Sequence, residues 1–510
     1  MTTEDLAARD RERREAALAM GGPKKLAKRA EDGELNARER VDRLFDAGTF
    51  RETGLFGTSQ VPADYDKTPA DGKVTGTGRI DGRRAAVVAY DFTVKGASSS
   101  PTSGKKMQHM KDLGQRVGMP VVYLNESTGV RMPDIMGGSG MGGMNDRTRF
   151  LRRRESPWVS AVFGYSFGSA AWHTVASDFA VFRKGSVMAV SSPGLVSRAT
   201  GQQVDREELG GWRIHAETTG LVDAVADTDE EAIDLVRQFL SYLPSHAAEP
   251  PPVVEVPEGS GSRGHELTSL VPTNPSQVYD IRQVIACVAD TDSVFELKAR
   301  YAKNLVTALT RIDGQTVGVI ANNPKFKAGA IDADACDKAT SFLVLCDSYN
   351  IPIVFMVDQP GFLIGLEAER QKIAGKVINW MNALSLVTVP KITVMLRKNY
   401  GQAFVNMGGA ETAHSSAAWW TAEVSFMDPR SAVGVVHNVS PDDDPETYAR
   451  LYADMARGTT AYDIARVYGV HDVIDPTETR QYLIDALEMN RLDLSGGVGE
   501  HLLSNWPTSY

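Results

Sequence analysis

One stretch of this chain occurs twice, and that duplication constrains the fold more than any other feature. Residues 157–170 read PWVSAVFGYSFGSA and residues 390–403 read PKITVMLRKNYGQA. In each, a proline opens a short, largely apolar run, and an aromatic-Gly-x-Ala turn begins ten residues after it: Phe167-Gly168-Ser169-Ala170 and Tyr400-Gly401-Gln402-Ala403. Each copy predicts a buried strand feeding a turn and then a helix. The two prolines, and the glycines Gly168 and Gly401, are 233 residues apart. Upstream the offset is 232, shared by Asp81-Gly82 and Asp313-Gly314, Lys95 and Lys327, Lys106 and Lys338, and Pro120 and Pro352. A repeat this long means two homologous α/β domains, because solenoid periods run at roughly 20 to 50 residues.

Such a turn carries chemistry through its backbone. The first amides of a helix have no intrahelical partner and sit at the positive end of its dipole, so a turn free of bulky side chains aims N–H groups at an anion. Two amides converging on one carbonyl oxygen make an oxyanion hole. A second glycine-containing segment in each half offers the partner amide: Gly96 and Ala97 within Lys95-Gly-Ala-Ser, and Gly329 and Ala330 within Lys327-Ala-Gly-Ala. Any one of these glycines by itself also serves as a plain strand-to-helix turn. The paired arrangement occurring twice favours the functional reading.

Composition narrows the class. Apolar residues make up 42% and charged residues 24%, ordinary for a globular protein. A net charge of −10 argues against nucleic acid or an anionic membrane as partner. Cys287, Cys336 and Cys346 have no metal-like spacing, so reduced thiols and no metal site are expected. The amino terminus mixes acids and bases without an apolar run, and no segment approaches the roughly 20 apolar residues that span a bilayer. A cytoplasmic protein is the expectation. There is no Walker-type phosphate loop and no Gly-x-Ser-x-Gly elbow, and His173, His414 and His437 share no ligand spacing. A site built mainly from backbone amides fits that pattern.

Along the chain, a charged helix from Thr3 breaks at Gly21-Gly22-Pro23, and a second amphipathic helix runs from Leu35 to the Ala47-Gly48 stop. This arm either packs on the first domain or a neighbouring subunit, or is solvated. The Pro-, Gly- and Ser-rich stretch after Pro244 reads as a linker, which places the domains at 1–255 and 256–510. Between Met132 and Met144 lies a methionine- and glycine-rich loop, followed by Arg147, Arg149, Arg152, Arg153 and Arg154. It reads either as a lid with a phosphate-binding cluster or as a surface loop with a solvated helix face.

Several segments together resemble the carboxyltransferase (β) subunit of biotin-dependent acyl-CoA carboxylases, the propionyl-CoA carboxylase and methylmalonyl-CoA carboxyltransferase group, over nearly the full length. They include Asn36-Ala-Arg-Glu-Arg-Val, Phe92-Thr-Val-Lys-Gly-Ala-Ser, Leu270-Val-Pro-Thr-Asn-Pro, Asp358-Gln-Pro-Gly-Phe and Arg397-Lys-Asn-Tyr-Gly-Gln-Ala. The resemblance implies two tandem crotonase-like (ClpP/crotonase) α/β domains in a dimer-based homo-oligomer, a hexamer, in which the first domain of one subunit faces the second domain of its mate. It implies an acyl-CoA thioester held by the amides of Gly168 and Ser169. It also implies carboxybiotin held by those of Gln402 and Ala403, beside Gly401 and Val405. Val405 stands where the family places a residue that influences acyl choice. Gly168-Ser169 and Gly401-Gln402 stand where the family usually has Gly-Gly. With no Met-Lys-Met biotinylation site and no ATP-binding carboxylase region here, biotin carboxylase and the biotin carboxyl carrier are expected as separate partners. Two other functions stay open: a biotin-independent decarboxylase or carboxyltransferase for an unusual thioester or amide, and a non-catalytic scaffold subunit.

Overall fold

The computed structural model describes residues 2–138, 140, 152–442 and 444–507 of the 510, without the side chain of residue 410. The chain divides into two compact units, Met1–Ala247 and Ala248–Tyr510. The Pro-rich segment belongs to the second, because the Val254 amide donates to Gly314 O (3.0 Å) and Asn350 Nδ2 donates to Glu249 O (2.9 Å). The units meet at 247/248, ahead of the 255/256 boundary read from composition.

Each unit is built on one eight-stranded sheet. In the first, β1 (Arg51–Glu52), β2 (Lys73–Ile80), β3 (Arg83–Tyr90), β4 (Val121–Ser127), β5 (Trp158–Phe167), β6 (Phe179–Arg183) and β8 (Ala224–Ala226) lie side by side, and β7 (Val187–Ala189) pairs with β5. In the second, β9 (Phe295–Leu297), β10 (Leu305–Ile312), β11 (Gln315–Asn322), β12 (Ile353–Gln359), β13 (Lys391–Tyr400), β14 (Ser415–Trp419) and β16 (Asp472–Ile474) follow the same path. There β15 (Glu423–Ser425) pairs with β13. The 232-residue offset is visible in the bonds. The hairpins β2–β3 and β10–β11 turn through Asp81-Gly82 (φ 50° and 79°) and Asp313-Gly314 (φ 53° and 75°), the left-handed pair a two-residue hairpin needs. Pro120 O accepts from the Ala86 amide and Pro352 O from Gly318, at 2.9 and 2.8 Å. Lys106 and Lys338 play one structural part: their Nζ atoms donate to the carbonyls that open β2 and β10, Lys73 O and Leu305 O.

Strands β4 and β12 are buried at every position, as parallel strands covered on both faces must be. In the second unit the covering helix Ala333–Ser348 comes so close to β11 that a Cβ on Gly318 would lie 2.6 Å from Cys346 Sγ. The amino-terminal arm divides. Thr3–Leu18 buries no residue, whereas Pro23–Glu31 and Ala37–Leu44 pack on the first unit. Asn36 caps the latter helix in a capping box with Glu39. Among the described residues no helix is long and apolar enough to cross a membrane.

Candidate active site

Both central strands bend at matching places. β4 and β5 pair from Val121↔Trp158 to Asn125↔Val162, then resume at Ser127↔Ser166; β12 and β13 break between Val357↔Met395 and Gln359↔Asn399. Four steps along β5 or β13 therefore answer two along the neighbour, a bulge that re-aims the strand end. Beyond it β5 pairs with β7 (Tyr165↔Val187) and β13 with β15 (Lys398↔Glu423). The turn that follows is thus carried clear of the main ladder.

Gly168 takes φ 61° and ψ −124° and starts the helix Ser169–Val175. That backbone is costly for any residue with a Cβ. The amides of Gly168 and Ser169 meet no acceptor among the described residues. In the second unit Gly401 (φ 67°) gives its amide to Ser425 O at 3.0 Å, which leaves Gln402 and Ala403 with the open amides. The four catalytic residues expected from sequence therefore lie at two amide-presenting turns.

The companion turns are alike and strained. Lys95, Gly96 and Ala97 take φ of 51°, 61° and 46°; Lys327, Ala328 and Gly329 take 49°, 55° and 80°. Left-handed residues with side chains cost on the order of 1–3 kcal/mol each and persist only where their surroundings impose them. Inside these turns Ala97 donates to Val94 O, Gly329 to Phe326 O and Ala330 to Lys327 O, all at 2.9 Å. Three of the four residues expected to supply the companion amide thus spend it internally; among the described residues Gly96 and Ala328 keep theirs open, as do Lys95 and Lys327 before them. Ala328 was missed because glycine was taken as the marker. Gly329 serves packing, since a Cβ there would lie 2.5 Å from Asp358 O. The 232 offset, which matches Gly96 to Ala328, was the signal that identifies it.

The side chains at the turns are modest. Ser169 Oγ lies 3.5 Å from Ser99 Oγ, both residues being buried. Gln402 is exposed and Val405 half-buried, with Gln402 Nε2 4.0 Å from Met381 Sδ. His173 is packed in the core, stacked on Tyr123 at 5.0 Å. Residues 141–151, with Arg147 and Arg149, lie outside the described residues. Arg152 and Arg154 pair with Asp178 near the start of β5, and Arg152 also covers the Trp158 ring at 4.1 Å, so both have structural parts.

Two cavities open at the first unit's turns. The larger, about 950 Å³, runs from Lys24, Lys25 and Lys28 past Thr93 and Gly96 to Tyr165 and Arg206. The smaller, about 570 Å³, is lined by Thr128, Phe167, Pro193 and Val204, and shares Tyr165 and Arg206 with the first. Arg206 Nη1 donates to the Tyr165 hydroxyl at 3.1 Å between them. Beneath the larger cavity lies a buried charge cluster. Glu126 accepts from Arg29 (3.1 and 2.8 Å) and Arg40 (2.8 Å), and Arg40 Nε reaches Asp229 at 2.9 Å while its guanidinium covers the Phe163 ring at 4.0 Å. Burial pushes the Glu126 carboxyl up, but the guanidiniums of Arg40 and Arg29 outweigh it and hold it below its usual value. The second unit places an acid 232 residues on, Asp358, held by Arg397 and Lys398 at 3.0 Å each.

Two tandem crotonase-like α/β units, each ending its central strand in open amides, are the architecture of a carboxyltransferase. The model of the carboxyl transferase domain family matches residues 28–493, and the chain belongs to that family. It is 38% identical over 502 residues to the propionyl-CoA carboxylase carboxyltransferase subunit of Haloferax mediterranei, covering 96% of each chain. To the α subunit of methylmalonyl-CoA decarboxylase from Veillonella parvula it is 35% identical, covering 92% of this chain and 93% of that one. A solved structure of transcarboxylase 12S, described as a hexamer with methylmalonyl-coenzyme A and methylmalonic acid bound, superposes with a TM-score of 0.88 at 34% identity. That match covers 96% of this chain and 95% of the other.

Proposed function

We propose that this chain moves a carboxyl group between carboxybiotin, presented by a separate carrier protein, and the α-carbon of an acyl-CoA. The observation that carries the reading is the doubled set of open amides: Gly168, Ser169 and Gly96 in the first unit, and Gln402, Ala403 and Ala328 in the second. In the first unit those amides hold the thioester oxygen as it gains negative charge on loss of the α-proton, so the acyl-CoA reacts as its enolate. The larger cavity takes the coenzyme, with Lys24, Lys25 and Lys28 toward its phosphates. The second unit's amides fit a ureido oxygen, a neutral acceptor that becomes more basic as the ring nitrogen loses its carboxyl group. Biotin, when bound, supplies the carboxyl group and a ring nitrogen able to accept the α-proton. No side chain of this chain needs to act as the base, in keeping with His173 being locked in the core. Biotin carboxylase and the carrier are its partners, and a hexamer its assembly.

Incubation with a carboxylated biotin carrier and acetyl-, propionyl- or butyryl-CoA is expected to yield the α-carboxylated thioester. Absence of product from every acceptor, together with no binding of any CoA ester, would overturn the reading. A second reading, biotin-independent decarboxylation or carboxyl transfer on an unusual thioester or amide, is favoured by Gln402, whose side chain lies beside the second unit's amides. Activity that persists in excess avidin selects it.

A further inference from the structure

Lys73 opens β2 with no exposed surface at all. Its ammonium lies 4.1 Å from the centre of the Tyr90 ring and donates to Ala97 O, the carbonyl at the end of the strained Lys95-Gly96-Ala97 turn. Ser127 Oγ donates to that same carbonyl at 3.0 Å. The second unit solves the equivalent problem without charge. Leu305 stands 232 residues after Lys73, and Gly329, which takes a left-handed φ freely, stands where the first unit has Ala97. Its carbonyls are held by neutral amides, Asn322 Nδ2 to Gly329 O at 3.4 Å and Asn304 Nδ2 to Ala330 O at 2.8 Å. The position therefore folds with leucine, and a buried cation there calls for a reason other than stability.

We propose that Lys73 is a positioning residue for carboxyl transfer, fixing the Ala97 carbonyl from below so that the Gly96 amide stays aimed at the thioester oxygen. The inference rests on the reading of the Gly96 amide as a donor to substrate. Bonds from a charged donor are roughly twice as strong as neutral ones, which suits a turn whose Ala97 is forced into φ 46°. Burial opposes the charge and draws the Lys73 ammonium down to about 7; Asp71 and Asp91 favour the charge, whereas Arg131 and Lys106 oppose it. Because this value lies below the unfolded one, the charge penalty is complete below about pH 7 and is relieved as pH rises toward 10.5.

The test is Lys73→Met in the full chain, assayed with propionyl-CoA, or with whichever acyl-CoA the wild type carboxylates fastest. The expected result is a fall in kcat of about 10- to 100-fold with KM changed less than about threefold. The melting temperature should hold or rise, since the buried charge is gone. The wild type's gain in stability from about pH 7 to pH 9 should be absent from the variant. Adding Ala97→Gly, which removes the backbone strain, should restore part of kcat. An unchanged kcat overturns the proposal, as does a loss of kcat that Ala97→Gly does not relieve. A wild type that carboxylates no acyl-CoA instead overturns the underlying reading of the site.

Discussion

Ser169 and Gln402 matter for their main chains before their side chains. Proline is tolerated at the first position of a helix, so Ser169→Pro deletes one open amide and leaves the helix Ser169–Val175 in place. Loss of one oxyanion donor costs about 10²- to 10³-fold in kcat. We expect that drop for Ser169→Pro, and less than about tenfold for Ser169→Ala, which keeps the amide; equal rates for the two would remove Ser169 N–H from the mechanism. Gln402→Gly keeps its amide and removes the side chain beside it. Its effect should fall on KM for the carboxylated carrier and leave KM for the acyl-CoA within about twofold, read from steady-state titration of each substrate. At this scale the fixed offset made the turns at Gly168 and Gly401 legible, and the resemblance to the carboxyltransferase family pointed within them to the amides of Gly168, Ser169, Gln402 and Ala403. It did not show that Ala97, Gly329 and Ala330 close on Val94, Phe326 and Lys327, because an amide's freedom depends on which carbonyl its turn folds back upon.

Among elements, the arm helix Ala37–Leu44 shows the reach of periodicity and its end. The sequence placed it from Leu35, and the structure starts it at Ala37, capped by Asn36 with Glu39. That Arg40 turns inward, 1% exposed between Glu126 and Asp229, was not legible, since a helical pattern gives a charged residue to solvent by default. Arg40→Met leaves two buried carboxylates under-compensated and should cost the first unit about 3–5 kcal/mol in denaturant unfolding. A loss under about 1 kcal/mol would mean that Arg29 on Glu126 and Arg183, whose Nη1 lies 3.2 Å from Asp229, suffice. The sign with acid follows from the lowered Glu126 value: its contribution is complete above the unfolded carboxyl value of roughly 4.3 and is lost as pH falls through the folded one. Acid unfolding of the wild type should therefore steepen below about pH 4, and the Arg40→Met protein should lose part of that dependence.

For the whole molecule, the cysteines give a simple check. Cys287, Cys336 and Cys346 are buried, and burial pushes all three thiols up. In native protein none should react with a thiol reagent at pH 8 on the minutes scale, and all three should titrate in denaturant. A thiol that reacts at once would place a thiolate at the surface. Two domains were readable from the duplication alone, whereas the Pro-rich stretch looked like a linker and belongs to the second unit, tied down by Val254 and Glu249.

The doubled strand, turn and helix and their spacing were determined by sequence alone, because each is a run of neighbouring residues whose pattern repeats. Only the tertiary structure decided which amides remain open, that Gly401 gives its own to Ser425, and that Lys73 lies beneath Ala97. The physical reason is that a backbone donor is spent or spared by carbonyls brought to it through the fold, and a buried charge is set by neighbours far along the chain.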